Sequence, residues 1–229
     1  MQHLLLLHGA IGSNEQLIPL KEKLEGNFIV HMLNFSGHGG KEMPGTGFSI
    51  ETFANDVLQY LESNKIKTIN IFGYSMGGYV AMWLAKHHPE KINHIITLAT
   101  KFYWDKEVAA KETKMLVAET IETKIPAFAA SLKQRHAPND WKEVLIQTSS
   151  MLMDMGENNP LKLEDYVSIN HPCLLMLGDK DKMVTLTETV DVFKQLSNAQ
   201  LCVLPATTHP IEQVNVDILT FHIKQFMVE

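Results

Sequence analysis

A strand–turn–helix pattern over residues 68–81 constrains the fold more than any other stretch of the chain. The apolar run 69–72 leads into Gly-Tyr-Ser-Met-Gly at 73–77, and apolar residues at helical spacing follow it. This context is typical of a sharp turn that lifts a nucleophilic serine above a sheet edge. The glycines fit such a turn because a Cβ at either place would crowd the neighbouring strand or helix. The pattern predicts Ser75 as a nucleophile, with the Met76 N–H beside it at a helix N-terminus.

Size and charge exclude several other classes of protein. The chain has 229 residues, of which 45% are hydrophobic and 20% charged, so we expect one globular domain with a sizeable core. The net charge of −6 argues against nucleic acid or an anionic membrane as a partner, since both favour a basic surface. No apolar run approaches the ~20 residues of a membrane span. The apolar first residues lack the basic start of a targeting signal.

The two cysteines predict a reducing compartment. Cys173 and Cys202 both lie in apolar, strand-like runs and are too few for a disulfide framework. We interpret them as buried core thiols. Together with the missing targeting signal, they predict a cytoplasmic protein.

Short apolar runs alternate with helical patterns, which predicts a parallel sheet covered by helices on both faces. The predicted strands cover residues 4–7, 28–33, 69–72, 92–99, 173–177 and 200–204. From about 100 to 170 this alternation stops, and apolar residues recur at helical spacing between prolines. We interpret 100–170 as a helical insertion within a single domain, 1–229.

A serine nucleophile needs a base, which is usually a histidine oriented by a carboxylate. In parallel α/β folds the site lies beyond the carboxyl ends of the strands, which favours histidines that directly follow strands. The chain order serine, acid, histidine then selects His209, after the last predicted strand. The acid is expected after the preceding strand, where Asp179 and Asp181 are both candidates and spacing alone does not decide.

Acyl transfer also needs donors for the negative charge that develops on the carbonyl oxygen. The Met76 N–H is one candidate. The second is expected in the turn after the first strand, at His8-Gly9-Ala10, where we predict the Ala10 N–H.

Five motifs in order resemble the α/β-hydrolase superfamily over essentially the whole chain. They are His8-Gly9-Ala10, Gly37-His38-Gly39, Gly73-Tyr74-Ser75-Met76-Gly77-Gly78, Gly178-x-x-Asp181 and Thr208-His209. The resemblance implies Asp181 as the acid, supports Ala10 as the second donor, and implies a helical cap over the pocket at 100–170.

The chain also departs from the pattern of this superfamily. Its members usually begin with antiparallel strands before the His-Gly strand, which here starts almost at Met1. We therefore expect those edge strands to be missing. The expected fold is a three-layer sandwich around a six-stranded parallel sheet in the order 2-1-3-4-5-6. Thr208 stands where many members have glycine, but no catalytic part is lost.

The leading hypothesis is a serine hydrolase that cleaves a small carboxylic ester with an apolar acyl group through an acyl-enzyme. Aromatic and methionine side chains of the insertion suit an apolar, adaptable pocket. Among them we expect Phe102, Trp104 and Met151 to line it. No cofactor is expected, because neither a metal-ligand spacing nor a phosphate-binding glycine pattern is present.

Other reactions on the same three residues remain alternatives. The menaquinone-pathway lyase of this superfamily looks similar in size and cap, but its substrate carries several carboxylates, which arginines bind best. Arg135 is the sole arginine of the chain. Hydrolases of carbon–carbon bonds and thioesterases are further alternatives, and a small-molecule receptor without catalysis is the non-enzymatic one.

Overall fold

Six strands form one parallel sheet in the computed structural model, which describes residues 1–228. The strands are β1 (Gln2–Leu7), β2 (Phe28–Met32), β3 (Ile69–Tyr74), β4 (Ile92–Leu98), β5 (Cys173–Gly178) and β6 (Ala199–Leu204). Their order in the sheet is β2-β1-β3-β4-β5-β6, and every neighbouring pair is parallel. This confirms the predicted order. Within the described residues no antiparallel strand precedes β1.

Nine α-helices accompany the sheet in the described part of the chain. They are α1 (Ile18–Leu24), α2 (Ile50–Ser63), α3 (Met76–His87), α4 (Lys106–Thr113), α5 (Ala118–Lys124), α6 (Pro126–His136), α7 (Trp141–Glu157), α8 (Leu186–Gln195) and α9 (Val216–Val228). Several begin at a side chain that caps the free N–H groups of the first turn. Ser49 accepts from the Thr52 N–H at 3.0 Å, and Asp105 accepts from the Val108 N–H at 2.8 Å.

The two faces of the sheet bury separate apolar layers. In β1, Leu5 and Leu7 pack with α2 and α3, whereas Leu4 and Leu6 pack with α1 and α9. All four leucines are fully buried, because side chains alternate across a strand and both faces are covered. The continuous run of leucines is therefore the signature of a central strand.

Helices α4 to α7 lie between β4 and β5, and we call them the cap helices. Helix α4 packs on α7, and α6 also contacts α7. A small apolar cluster that includes Leu132, Trp141 and Leu145 holds α6 to α7. Helices α5 to α7 thus share a small apolar cluster, while other residues of α7 join a layer of the sheet.

The structure bears on the predictions of buried cysteines and of no membrane span. Cys173 is buried and free, as predicted, but Cys202 is only partly buried because β6 is an edge strand. None of the described helices combines the length and apolarity that crossing a membrane requires.

Candidate active site

Ser75 sits at a strained turn between β3 and α3. Its backbone has φ 51° and ψ −116°, in a region that residues with a side chain rarely adopt. The Ser75 N–H donates to the Leu98 carbonyl at 2.8 Å, and the Ser75 carbonyl accepts from the Thr100 hydroxyl at 3.0 Å. These bonds to the end of β4 hold the strained conformation, which is usually kept only where function uses it.

The glycines of the motif make this turn possible. A Cβ on Gly73 would lie 2.4 Å from the carbonyl carbon of Gly77, and one on Gly77 would lie 2.6 Å from the Leu7 carbonyl oxygen. Both contacts are with backbone that cannot move aside. The start of α3 therefore packs directly against β1 and β3, as the sequence motif predicts.

His209 and Asp181 form a buried pair at the ends of β6 and β5. The Nδ1 of His209 lies 2.8 Å from Oδ2 of Asp181, whose side chain is fully buried. The other oxygen, Oδ1, accepts from the N–H groups of Met183 (2.8 Å) and Val184 (2.9 Å). An ionised carboxylate only accepts, so Nδ1 carries the proton and Nε2 is left free as a base.

The surroundings of Asp181 keep it ionised. Burial by itself would raise the pKa of Asp181, but the hydrogen bond from His209 and the two backbone donors outweigh it, and the pKa lies below its usual value. The Tyr74 hydroxyl donates to the His209 carbonyl at 3.0 Å, which fixes the backbone that carries the imidazole. Asp179, the other sequence candidate, is exposed and accepts from the Thr207 N–H at 3.2 Å.

The turn at residues 9–12, which we call the oxyanion turn, follows β1 directly. The Gly12 N–H donates to the Gly9 carbonyl at 3.1 Å. The same carbonyl accepts from Nδ1–H of His8 at 2.8 Å, while Nε2 of His8 accepts from the Phe35 N–H at 3.1 Å. Because the peptide unit is planar and trans, fixing the Gly9 carbonyl fixes the Ala10 N–H in the opposite direction. Within residues 1–228, neither the Ala10 nor the Met76 N–H has a protein acceptor.

Helix α6 holds the oxyanion turn from the other side. Ile11 has φ 52°, an outlier for a β-branched residue. Its carbonyl lies 3.1 Å from Nη1 of Arg135 and 3.0 Å from Nε2 of His136, and both nitrogens donate. The Nδ1 of His136 accepts from the Gly39 N–H at 3.2 Å. One imidazole thus ties the oxyanion turn to the loop that follows β2.

These contacts require neutral histidines. His8 and His136 are fully buried, and each uses one ring nitrogen as an acceptor, which a protonated imidazole does not have. Burial lowers the pKa of both rings to about 4. His38, packed between them, also has a lowered pKa for the same main reason.

We expect acid to weaken the fold through these rings. Between pH 6.5 and 4 an unfolded histidine binds a proton that the folded one rejects, so stability falls as pH falls across this window. His136→Gln removes one such group and is expected to flatten the decline in the free energy of unfolding by about 1–3 kcal/mol. Urea unfolding at pH 7, 6, 5 and 4.5 measures this. The control His222→Gln, at a partly exposed position on α9, should follow the wild-type curve, and a His136→Gln curve parallel to the wild type would contradict the assignment.

Ser75, His209, Ala10 and Met76 line one cavity of about 280 Å³. The chain between β4 and β5 supplies an apolar part of its wall through Trp104, Met115, Leu116, Phe128, Met151, Leu152 and Met155. Trp104 and Met151, which the sequence predicts in the substrate pocket, are among these residues.

The prediction that Phe102 lines this cavity is wrong. Its ring is only 3% exposed and packs edge-on against Tyr166, with the ring centroids 5.7 Å apart. The Phe102 N–H donates to a carboxylate oxygen of Glu188 at 3.1 Å. The chain after β4 thus turns Phe102 into the core beside α8, away from the lining of the cavity.

Charged residues of the lining are not predictable from the sequence. Lys101 and Glu112 form one ion pair in the wall, at 3.6 Å, and Arg135 and Glu212 form a second at 3.6 Å. Only Arg135 carries a sequence signal, as the sole arginine.

In the described residues no group of three or more His, Cys, Asp or Glu side chains is placed to hold a metal ion.

Comparison with known proteins identifies the family of this chain. The family described as having the alpha/beta hydrolase fold matches residues 2–142. The pimeloyl-[acyl-carrier protein] methyl ester esterase of Vibrio parahaemolyticus is 26% identical over 231 residues, covering 90% of this chain and 86% of the relative.

Two solved structures share the architecture. The enol-lactonase of Burkholderia xenovorans superposes with a TM-score of 0.82 at 21% identity, covering 100% of this chain and 92% of that one. A meta-cleavage product hydrolase of Pseudomonas fluorescens gives a TM-score of 0.83 at 16% identity, covering 99% and 90%. The related proteins support an enzyme of the hydrolase type, and the chain belongs to the α/β-hydrolase family.

Proposed function

We propose that the protein is a serine hydrolase that cleaves small carboxylic esters through an acyl-enzyme. One observation carries the proposal: Ser75, on its strained turn, faces the same cavity as His209, which is paired with the buried Asp181. Two free N–H groups, of Ala10 and Met76, border that cavity as well. These are the parts that acyl transfer needs.

Each part has a defined step. The Ser75 hydroxyl attacks the ester carbonyl while Nε2 of His209 takes its proton, and the Asp181 carboxylate stabilises the imidazolium. The Ala10 and Met76 N–H groups bind the oxyanion of the tetrahedral intermediate. His209 then protonates the departing alcohol, which leaves Ser75 acylated. Water, deprotonated by the same imidazole, attacks the acyl group, and collapse of the second intermediate returns the proton to Ser75.

The electrostatics of the cavity favour a neutral ester. Lys101 lies beside Glu112 and Arg135 beside Glu212, so the four charges of the wall compensate each other. Nη1 of Arg135 is also committed to the Ile11 carbonyl. Among the described lining residues, no cation is left unpaired for a substrate with several carboxylates. This disfavours the lyase alternative, and the relative named as a methyl ester esterase agrees with a neutral ester.

The proposal includes the organisation and location of the chain. It treats 1–229 as a single domain in which residues of about 100–170 form a cap over Ser75. The cap helices contribute to the cavity wall, which supports this assignment. A cytoplasmic location is in keeping with two free thiols, Cys173 and Cys202.

An activity screen with a covalent probe tests the function. We expect a fluorophosphonate to label Ser75, identified by peptide mass, and 4-nitrophenyl esters of two to eight carbons to be hydrolysed. Thioesters and β-diketones in the same screen detect thioesterases and carbon–carbon bond hydrolases. A folded protein that neither reacts with the probe nor turns over any of these substrates would contradict the proposal and favour a receptor.

A further inference from the structure

The ion pair of Lys101 and Glu112 is an unusual feature in a wall that is otherwise largely apolar. The side chain of Lys101 is 13% exposed and that of Glu112 is 5% exposed, yet both line the cavity. The same lining contains Met115, Met151, Met155 and Met183, whose side chains offer no hydrogen-bond donor. Burying two charges carries a desolvation penalty that geometry must offset, and the 3.6 Å separation is too long for a hydrogen bond.

The hydrogen bonding of the pair is incomplete in a specific way. The ammonium of Lys101 donates one hydrogen bond to the Met183 carbonyl. Met183 belongs to the loop whose N–H groups donate to Asp181. The Oε1 of Glu112 faces the ammonium, while Oε2 is buried and has no partner within residues 1–228. Oε1 is 3.6 Å from Nζ, which is also too long for a hydrogen bond, so the described side chains leave the cost of burying this carboxylate incompletely offset.

From these observations we infer that Lys101 and Glu112 form a subsite for a hydroxyl group of the substrate. A hydroxyl donates one hydrogen bond and accepts others, so it can donate to Oε1 of Glu112 and accept from Nζ of Lys101, two atoms that lie 3.6 Å apart. The pair has no net charge, so a carboxylate or an ammonium group would meet one attractive and one repulsive partner. The substrate class is therefore a hydroxylated ester, with the hydroxyl held beside the loop that carries Asp181.

The inference deepens the proposed ester hydrolysis and rests on it for the reaction, but not for binding. A site built to bind a hydroxyl discriminates against the analogue that lacks it, because its polar groups are then left unpaired. Two pairs of isosteric ester substrates, in which a methyl group replaces the hydroxyl, test the acyl part and the alcohol part of the ester separately. The acyl pair is 4-nitrophenyl 3-hydroxybutyrate and 3-methylbutyrate. The alcohol pair is 2-hydroxyethyl and propyl butyrate.

In the wild type we expect kcat/KM, corrected for the alkaline hydrolysis rate of each ester, to favour the hydroxylated member of at least one pair by about tenfold or more. The double variant Lys101→Met/Glu112→Leu should reduce this ratio to below about twofold. Replacing both members by apolar residues of similar size avoids an uncompensated buried charge, so the variant should fold. If it does not fold, Glu112→Gln, which replaces one acceptor by a donor, should lower the same ratio.

The matched control removes an ion pair that does not face the cavity. Lys106 and Glu157 link α4 to α7 at 2.8 Å on the outer surface, with side chains 73% and 52% exposed. The control variant Lys106→Met/Glu157→Leu should keep the wild-type ratio. No preference in either pair, or a preference that survives in the Lys101/Glu112 double variant, would overturn the inference.

A binding measurement separates this inference from the proposed reaction. NMR titration of the wild type and the double variant with 3-hydroxybutyramide and 3-methylbutyramide needs no ester cleavage. Failure to hydrolyse any ester would contradict the proposed function alone. Equal binding of the two amides to the wild type, together with the absence of ester discrimination, would contradict the hydroxyl subsite alone.

Discussion

Replacing Ser75 by Ala is expected to lower kcat for 4-nitrophenyl esters by about 10⁴- to 10⁶-fold, because the hydroxyl that attacks the ester carbonyl is lost. The fold should survive this change. Alanine keeps the Cβ at φ 51°, so the backbone strain is the same, and the bonds of Ser75 to Leu98 and Thr100 use its backbone only. Stopped assays with microgram amounts of purified enzyme measure the residual rate, and circular dichroism checks the fold.

The matched control is the same substitution on a cap helix. Ser150 is exposed on α7, the helix that also supplies Met151 to the cavity. Ser150→Ala should retain turnover within about twofold, as expected of a surface change. If Ser75→Ala kept a tenth or more of the wild-type rate, or still reacted with a fluorophosphonate, Ser75 could not be the nucleophile.

Structural features that depend on a short stretch of sequence can be predicted from the sequence. The four leucines of β1 indicate a central strand because both of its faces are covered. Gly73 and Gly77 indicate a close approach of strand and helix, and the distances show that approach. The alternation of strands and helices gives the parallel sheet, and the resemblance to a known family gives its order.

The cavity wall depends on distant contacts and is harder to infer. Lys101 and Phe102 are neighbours in sequence, yet Lys101 faces the cavity and Phe102 packs on Tyr166. The chain is irregular there, so no periodicity assigns a face to either side chain. Glu112 is buried on α4 together with Ala109, in a sequence too polar to indicate a buried carboxylate, and its partner Lys101 lies before that helix. A pair of this kind emerges only once the cap is folded.

The choice between two acidic residues shows a similar limit of sequence-based prediction, here within a single turn. Asp179 and Asp181 are two positions apart in one turn after β5, and spacing does not separate them. The structure gives them different surroundings. Asp181 is buried and accepts from His209 and two backbone N–H groups, whereas Asp179 is exposed and accepts from Thr207. The resemblance to the α/β-hydrolases favours the same residue on independent grounds.

The contrast between these two residues gives the second large expected effect. Asp181→Asn should lower kcat by about 10⁴-fold, because an amide nitrogen facing Nδ1 of His209 would turn the imidazole to the tautomer that protonates Nε2. Asp179→Asn keeps an acceptor for the Thr207 N–H and should stay within about threefold of the wild type. Both changes remove one negative charge from the same turn, so the difference between them isolates the contact with His209.

A comparison of kcat with KM distinguishes this role from a structural one. Asp181→Asn should lower kcat and kcat/KM together and leave KM within about threefold of the wild type, because the contact with His209 matters where the imidazole accepts and returns a proton and not where the ester binds. A larger loss of kcat in Asp179→Asn than in Asp181→Asn, or a change in Asp181→Asn that is confined to KM, would contradict Asp181 as the orienting carboxylate. A loss in both of the same size would mean that the negative charge of the turn, and not its hydrogen bond to Nδ1, supports the reaction.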